Sequence, residues 1–349
     1  MSHEVLYRKY RPQTFDKIIG QEIVVKALIG AIRNKAVAHA YLFAGSRGIG
    51  KTSIARIFAR EIGTSANDIY EIDAASNRGI DDVRALRDAV AVLPFESRFK
   101  VYIIDEAHML TKEAFNALLK TLEEPPKHVI FILATTEIHK LPETIVSRCQ
   151  VFEFKRPTVE ILKDTIINIA EKEDFTLELA AAELIALVGD GSFRDTHGIL
   201  EMVIAGKQGE KNKKISRDDV ERATGSPKSE LVRNFVGALV SKNTAKAFEV
   251  IAEVRKKNFD PKLFLELTLS LVRMTLLEKM SVPGAIAEAS DEDKKFIADK
   301  IADKKTAIDS RLLRTILGAY DYIGVSPIRE LPLELLALDV CGALTEQGK

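Results

Sequence analysis

An eight-residue segment has the residue types and spacing of a phosphate-binding loop of the form G-x-x-x-x-G-K-[ST]. It consists of Gly45, Ser46, Arg47, Gly48, Ile49, Gly50, Lys51 and Thr52. Glycines let backbone N–H groups approach an anion closely, and a helix that starts at the loop adds partial positive charge. Lys51 can then reach the β and γ phosphates, and the Thr52 hydroxyl can ligate Mg²⁺. The pattern predicts a nucleotide site, against the alternative of an ordinary glycine-rich turn.

Two acids after a second apolar run extend this chemistry. Asp105 ends the run VYIID, and Glu106 follows it. Ligands of open α/β sheets bind outside the carboxyl ends of the strands. Asp105 is therefore predicted to hold Mg²⁺, directly or through water, and Glu106 to orient and deprotonate an attacking water. Paired acids are weak evidence alone, but behind an intact phosphate loop they predict phosphoryl transfer to water.

A pair of threonines ends the next apolar run. Thr135 and Thr136 close the segment VIFILATT. A hydroxyl at this position could contact the γ phosphate or the attacking water. The alternative is a pair of sheet-edge threonines without a chemical role.

Five short, apolar and partly β-branched runs are the elements that must position these residues. They are Ala40–Ala44, Ile69–Asp73, Val101–Asp105, Val129–Ala134 and Gln150–Phe154. Such runs are typical of parallel strands buried on both faces. Helices are predicted between them, at Lys51–Arg60, Asp81–Val90 and Ala114–Glu124. Strands that alternate with helices predict an α/β domain with a mostly parallel sheet.

The chain after Phe154 has helical periodicity and no convincing strand. Helices are predicted at Val159–Glu171, Leu177–Val188, Arg194–Ala205, Val232–Val240, Ala245–Lys256, Leu263–Lys279, Leu312–Ile323 and Leu333–Leu344. The segment 216–219 resembles a capping box that opens a further helix. Three domains are predicted: a nucleotide-binding α/β domain over 1–156, a small helical domain over 157–225 and a larger helical domain over 226–349.

Composition and charge exclude several classes of protein. The 349 residues include 51 Lys and Arg against 51 Asp and Glu, and 46% are hydrophobic. This composition is typical of a globular protein, and zero net charge gives no bulk positive field for nucleic acid. Two cysteines are too few for a disulfide framework, and no apolar run approaches the roughly 20 residues of a membrane span. A cytoplasmic protein without a membrane partner is expected.

An ordered set of motifs, strongest before residue 155, carries a family resemblance. The set comprises LYRKYRP at 6–12, Gly20-Gln21, the phosphate loop, IIDEAHMLT at 103–111, NALLKTLEEPP at 116–126 and Ser147-Arg148-Cys149. It resembles the gamma/tau family of DNA polymerase III, which are AAA+ ATPases of the bacterial sliding-clamp loader. The resemblance implies an AAA+ P-loop NTPase domain with a five-stranded parallel sheet, then a helical lid and a C-terminal helical collar.

The same resemblance implies a motor subunit that binds ATP and Mg²⁺. Subunits of this family form an open ring with the delta and delta prime subunits and further gamma/tau copies. ATP binding is then expected to drive clamp opening and binding of primer–template DNA, and hydrolysis to release the loaded clamp. Partners implied are these subunits, the sliding clamp and DNA.

By motif position, the resemblance assigns roles to further residues. Thr136 matches the residue called sensor 1, and Arg194 matches sensor 2, which reaches the phosphates from the lid. The segments that enclose the adenine and neighbouring nucleotide groups correspond to Tyr7, Arg8, Tyr10, Arg11, Pro12, Ile18, Ile19, Gly20 and Gln21, and Ser53 follows the phosphate loop.

Arg148 matches the arginine finger, which acts on the ATP of a neighbouring subunit. An arginine keeps its charge and offers a planar fork of donors to phosphate oxygens. Such a finger makes hydrolysis depend on subunit geometry. The alternative is a purely structural role in which Arg148 pairs with a local carboxylate.

DNA contacts must come from local donors, because the net charge is zero. Asn77 and Arg78, before the helix predicted at Asp81, could offer donors to backbone phosphates, and Arg98 and Lys112 are further candidates. The alternative for each is a solvated surface side chain. Members of the family carry a zinc-binding insertion with four cysteines after the phosphate-loop helix. This chain has no cysteine there, and no structural zinc is expected.

Two other functions share parts of this pattern. Another AAA+ motor, such as a branch-migration helicase, would have the same phosphate loop and acids, but the Glu-Glu-Pro-Pro and Ser-Arg-Cys contexts disfavour it. A non-hydrolysing scaffold subunit of the loader would be expected to lose Lys51 or Glu106, and both are present.

Overall fold

A computed structural model describes residues 4–77, 79, 86, 88–210, 212–286, 289–303 and 308–342. The chain divides into two compact units. The first comprises Met1–Leu162 with Gly189–Gly198, and the second Lys163–Val188 with Ile199–Lys349. The three-domain division, with a boundary near residue 225, stays a prediction.

The first unit contains a five-stranded parallel sheet, as predicted. The strands are β1 (Ala40–Ala44), β2 (Ile69–Asp73), β3 (Lys100–Asp105), β4 (Val129–Thr135) and β5 (Gln150–Glu153). Their order across the sheet is β2-β3-β4-β1-β5. β1 and β4 are buried along their whole length, and the edge strands β2 and β5 are partly exposed. The uninterrupted apolar runs fit this, because inner parallel strands are covered on both faces.

Helices connect the strands of the first unit. They are α1 (Leu6–Lys9), α2 (Glu22–Arg33), α3 (Lys51–Glu61), α4 (Lys112–Glu123) and α5 (Glu143–Val146), with one-turn 3₁₀ helices at Phe15–Lys17, Ala66–Asp68, Ala107–Met109 and Ile138–Lys140. The predictions of α3 and α4 are confirmed to within two residues, whereas α2 was not predicted. The helix predicted over Asp81–Val90 lies largely outside the described residues.

A separate apolar core covers each face of the sheet. Side chains alternate along a strand, so Tyr41 and Phe43 of β1 face one core while Leu42 faces the other. The first core includes Ile54 and Phe58 of α3. The other includes the apolar stripe of α4. These two cores hold the carboxyl ends of β1, β3 and β4 in register at one edge of the sheet.

Over the residues that the structure describes, the second unit is helical apart from one short strand pair. Its helices are α6 (Val159–Lys172), α7 (Leu179–Val188), α8 (Phe193–Gly206), α9 (Arg217–Thr224), α10 (Ser229–Val240), α11 (Thr244–Lys256), α12 (Pro261–Lys279), α13 (Asp291–Ala302), α14 (Ser310–Tyr320) and α15 (Leu331–Cys341); α6 and α8 begin in the first unit. The expectation of no strand after Phe154 was wrong, since Thr176–Leu177 pairs with Lys214–Ile215. Two-residue strands are too short to give a periodic signal.

The capping box in the second unit was predicted correctly, because it depends on residues close together in the chain. The Ser216 side chain accepts from the Asp219 N–H, and the Asp219 carboxylate accepts from the Ser216 N–H, which is the capping box that opens α9. Helix α13 was not predicted, because its apolar positions are few among charges. Within the described residues, no helix combines the length and apolar composition that a membrane span requires.

Candidate functional site

Two glycines of the phosphate loop stand where no side chain fits. At Gly48, which has φ +74°, an added Cβ would lie 2.0 Å from Ser192 Oγ. At Gly45, an added Cβ would lie 2.7 Å from the carbonyl oxygen of Phe154. The loop is therefore held between β5 and the segment that begins α8. Because these glycines have no side chains, a ligand can contact the backbone of the phosphate loop directly.

Lys51 lies at the first position of α3 and is 5% exposed. Its Nζ donates to the carbonyl oxygens of Gly45 and Ser46, at 2.7 Å each. Burial lowers the pKa of Lys51, although Glu106 and Asp105 act to raise it. The Ser46 hydroxyl is buried without a hydrogen-bond partner among the described residues. A buried cation beside an unpartnered donor fits a phosphate group.

Thr52 and Asp105 meet across the carboxyl edge of the sheet. Thr52 Oγ1 donates to Asp105 Oδ2 at 2.7 Å. The other oxygen, Asp105 Oδ1, accepts from the Glu106 N–H at 2.9 Å. A hydroxyl and a carboxylate at this spacing are oxygen ligands of the kind Mg²⁺ prefers beside substrate phosphates. The residues present thus fit a magnesium ion.

Glu106 follows β3 in the left-handed region, with φ +48°. Its Oε2 accepts from Thr136 Oγ1 at 3.2 Å, so the structure brings together the two residues that follow β3 and β4. Thr135, one position earlier, is fully buried and bonds to His108 instead. Of the threonine pair, Thr136 is the one that faces the acid.

The N-terminal segment contacts the site at two points. Arg11 Nε donates to Ser53 Oγ at 2.9 Å, and burial lowers the pKa of Arg11. The Arg194 guanidinium carbon lies 5.8 Å from the centre of the Tyr7 ring, and the Arg8 guanidinium carbon lies 5.7 Å from it. This places the predicted sensor 2 residue beside the predicted adenine segment.

Other residues of the predicted enclosure have different surroundings. Gln21 is buried and bonds to the Lys155 backbone in both directions, at 2.7 and 3.2 Å. The side chain of Ile49 is buried in the core, so only its backbone can face a ligand. Ile18 packs against that core, and Ile19 is half exposed. Among the remaining residues, Tyr10, Pro12 and Gly20 are partly buried and Arg47 is exposed.

Arg148 is paired within its own chain. Its Nη2 lies 2.5 Å from Glu123 Oε1, and its Nη1 donates to the Thr144 carbonyl at 2.6 Å. This is the local carboxylate pair of the structural alternative. A finger role requires a neighbouring subunit and stays a prediction. The adjacent Cys149 packs against the core, and burial raises the pKa of its thiol to about 11.

The predicted DNA contacts are described in part. Asn77 Nδ2 donates to the Asp73 carbonyl at 3.0 Å. Arg98 and Lys112 are exposed. Arg78 lies outside the described residues. Their roles stay predictions. Among the described residues, no three His, Cys, Asp or Glu side chains form a cluster that could hold a metal ion, and the expected lack of zinc also stays a prediction.

Two residues at the site were given no role from sequence. His108 is one of them, and its buried ring lies 3.6 Å from Glu106 Oε2. Ser192, the other, packs onto Gly48. The only sequence signal for either was position: His108 stands two residues after Glu106, and Ser192 two before Arg194.

The fold places this chain in a class of proteins. The RuvB Holliday junction branch migration motor from Thermotoga maritima is similar in structure, with a TM-score of 0.54 and 28% sequence identity over 66% of this chain and 79% of that one. With a parallel five-stranded sheet and the phosphate loop after β1, the chain has the AAA+ P-loop ATPase fold. The predicted fold class is confirmed.

Sequence comparisons narrow the class to a family. The tau subunits of DNA polymerase III from Bacillus subtilis and Escherichia coli are 41% and 39% identical, over 81% and 82% of this chain. Residues 63–158 match the family model for the DNA polymerase III delta subunit. The chain is a homologue of the gamma/tau subunits of DNA polymerase III, which confirms the resemblance. It spans about half the length of these relatives, 53% and 47%.

Proposed function

We propose that this chain is the ATP-hydrolysing motor subunit of a bacterial sliding-clamp loader, working in the cytoplasm. The observation that carries the proposal is the convergence of Lys51, Thr52, Asp105 and Glu106 at one edge of the sheet. A scaffold subunit without hydrolysis would have no use for both a phosphate-binding lysine and a base beside it. Homology to gamma/tau subunits supplies the biological context.

Hydrolysis in this proposal depends on positioning and charge. Lys51 leaves the loop carbonyls to bind the β and γ phosphates, and Arg194 approaches the same oxygens. Thr52 and Asp105 would hold Mg²⁺, which would supply positive charge beside the phosphates. Glu106 orients a water for attack on the γ phosphorus and takes its proton while ADP leaves. Thr136 holds the Glu106 carboxylate.

The finger role of Arg148 makes the reaction a property of the assembly. Delta, delta prime and further gamma/tau copies would surround this subunit in an open ring. ATP binding would favour a closed spiral around primer–template DNA and an opened clamp. Hydrolysis would release the loaded clamp. Backbone-directed donors such as Asn77, Arg98 and Lys112 suit a factor that works at any primer end, because phosphate contacts carry no base code.

Replacement of Arg148 by alanine tests the proposal in the assembled loader. We expect nucleotide affinity within about twofold of wild type, and stimulated hydrolysis lowered about 10³-fold, as for arginine fingers in other NTPases. Steady-state ATPase with primed DNA and clamp gives the rate, and fluorescent ATP titration gives the affinity. Arg33→Ala, at an exposed arginine in the last turn of α2, is the matched control. Stimulated hydrolysis that survives Arg148→Ala would contradict the finger role.

A branch-migration motor is the second candidate, because RuvB shares the fold. The higher sequence identity to tau subunits favours the loader. ATP-dependent clamp loading without migration of a four-way DNA junction would support the loader, and the reverse result would support the second candidate.

A further inference from the structure

A buried histidine joins the two loops that carry the acid and the threonine of the site. His108 lies in the one-turn helix after Glu106, and its side chain is 8% exposed. Its Nδ1 lies 3.1 Å from Thr135 Oγ1 and 3.6 Å from Glu106 Oε2. Its Nε2 lies 3.6 Å from Glu137 Oε1. We call Glu106, His108, Thr135, Thr136 and Glu137 the His108 cluster.

The hydrogen bonds around Thr135 fix the position of the His108 ring. Thr135 Oγ1 accepts from the Glu137 N–H at 3.0 Å and pairs with His108 Nδ1 at 3.1 Å. A hydroxyl has one proton and two acceptor lone pairs, so Thr135 can make both contacts with either tautomer of the ring. Because Thr135 is fully buried at the end of β4, the ring is anchored to the sheet and not to a mobile loop.

This anchored ring lies against one oxygen of the acid. Glu106 Oε2 accepts from Thr136 Oγ1 and is the oxygen nearest His108 Nδ1. Glu106 Oε1 accepts no hydrogen bond from the described residues. One oxygen of the carboxylate is therefore confined between two side chains. The other is left to take a proton from water.

The backbone at Glu106 directs its side chain but does not fix the rotamer of that side chain. Its φ of +48° is unusual for a residue other than glycine, and its carbonyl accepts from the Met109 N–H at 2.8 Å, which closes the turn around His108. The turn aims the acid, but its side chain is still 31% exposed and keeps rotamer freedom. A packed ring beside Oε2 removes part of that freedom, and misplacement of a base by about 1 Å can lower a rate about 10²-fold.

We propose that His108 is a positioning residue for Glu106, holding the carboxylate so that Oε1 faces the attacking water. The role rests on the proposed ATPase function. His108 takes no proton in the reaction, and its contribution appears in turnover, with nucleotide binding left intact.

The test uses the assembled loader with ATP, Mg²⁺, primed DNA and clamp. His108→Phe keeps ring volume but removes the ring nitrogens, and with them the hydrogen bond to Thr135 that anchors the ring. His108→Asn keeps a short polar side chain near Thr135. We expect His108→Phe to lower kcat at least tenfold with KM and fluorescent-ATP affinity within about twofold, and His108→Asn to recover part of the loss. The matched control is His139→Ala, because His139 also lies 3.6 Å from Glu137 but its side chain is 73% exposed. We expect its kcat within twofold of wild type.

A double-mutant cycle separates positioning from a general packing role. If His108 acts through Glu106, adding His108→Phe to Glu106→Gln lowers the remaining turnover by less than twofold. Thr135→Val removes the anchor of the His108 ring and serves as a second test if a His108 variant folds poorly. We again expect a lower kcat with ATP affinity within about twofold of wild type.

Wild-type kcat in both His108→Phe and Thr135→Val would overturn the inference. So would a His108→Phe substitution that lowers turnover by the same factor in the wild-type and Glu106→Gln backgrounds. Those results leave the ATPase proposal standing. A wild-type assembly that binds ATP without hydrolysing it would instead overturn the proposed function, and the role of His108 with it.

Discussion

The candidate site of the first unit and a buried ion cluster of the second unit both keep charges away from water, but they satisfy them differently. The buried ion cluster consists of Arg217, Glu221, Arg233 and Asp293. Arg233 Nη1 donates to Asp293 Oδ1 at 2.7 Å, and Arg217 lies 3.2 Å from Glu221 and 3.8 Å from Asp293. Glu221 also accepts from the N–H and hydroxyl of Ser229. Each charge has an opposite charge and hydrogen bonds.

The candidate site lacks this saturation. Lys51 has only carbonyl oxygens as hydrogen-bond partners among the described residues, and Ser46 Oγ has none. Unsatisfied buried donors are costly, and a ligand that completes the set would recover that cost. The comparison teaches that pairing, more than burial, separates a site for ligands from a structural cluster. Removal of one group from each kind of environment tests this distinction.

Removal of Asp293 should have the largest effect, and it should be on stability. Asp293→Ala leaves Arg233 and Arg217 partly buried without their shared carboxylate, so we expect the free energy of unfolding to fall by about 3–5 kcal/mol. Urea denaturation measures it. The control is Asp291→Ala, at a fully exposed carboxylate two residues earlier, which we expect to change stability by less than about 0.5 kcal/mol. Equal losses of stability in Asp293→Ala and Asp291→Ala would show that the buried ion cluster does not stabilise the fold more than an exposed charge does.

Removal of Lys51 should cost function and spare stability. We expect Lys51→Met to lower ATP turnover at least about 100-fold, which corresponds to about 2.7 kcal/mol, because the phosphates lose their buried cation. The melting temperature without nucleotide should stay the same or rise, since burial already disfavours the charged form of Lys51. Steady-state ATPase assays and thermal melts give the two quantities, with Lys26→Met on the exposed side of α2 as control. A large loss of stability would show that Lys51 has a structural role like that of the residues in the buried ion cluster.

Asp68 sharpens the comparison, because it is a saturated charge inside the first unit. Burial acts to raise its pKa, but N–H groups of Glu96, Phe95 and Ser97 outweigh it and lower the pKa to about 2. With an unfolded pKa of about 3.9, its stabilisation is complete at neutral pH and is lost as pH falls from about 4 through 2.

We therefore expect Asp68→Asn to lower stability by about 2 kcal/mol at pH 7 and by less at pH 3. Thermal melts at the two pH values measure the difference, and nucleotide affinity at pH 7 should stay within twofold. A deficit that does not shrink on acidification would show that the three N–H bonds do not depend on the charge of Asp68.

The smallest effect is expected at Ser46. Ser46→Ala removes a buried hydroxyl without a partner among the described residues, so stability without nucleotide should be unchanged or higher by up to about 1 kcal/mol. Affinity for ATP should fall about three- to tenfold, the value of one hydrogen bond. Opposite signs for stability and affinity are the outcome to look for. A loss of both stability and ATP affinity would mean that the Ser46 hydroxyl stabilises the phosphate loop in the absence of nucleotide.

Much of the fold followed from local patterns. The five strands were predicted to within one residue at each end, because a buried parallel strand is a short apolar run that ends where polar residues begin. The capping box of α9 and the helix after the phosphate loop depend on neighbouring residues, so they could be predicted as well. Helices α2 and α13 were missed, and the strand pair at 176–177 and 214–215 was excluded wrongly. α13 and the strand pair gave too weak a periodic signal, whereas α2 has clear helical periodicity and was overlooked.

The candidate site was predictable only for residues in a motif. Lys51, Thr52, Asp105 and Glu106 stand in patterns whose spacing the chemistry of phosphate and magnesium dictates. His108 has no such pattern, since its contact with Glu106 depends on Thr135 at the end of another strand, 27 residues away. The local partner of Arg148, Glu123, likewise lies 25 residues earlier in the chain.

The sequence by itself determined the sheet, the phosphate loop and the family, because these depend on periodicity, steric freedom of glycine and residue types at short spacing. Tertiary structure decided which oxygen of Glu106 is confined, which donors are left unsatisfied and which charges of the second unit cancel. Those properties depend on distances between side chains far apart in the chain, and packing of the folded cores sets such distances to a fraction of an ångström.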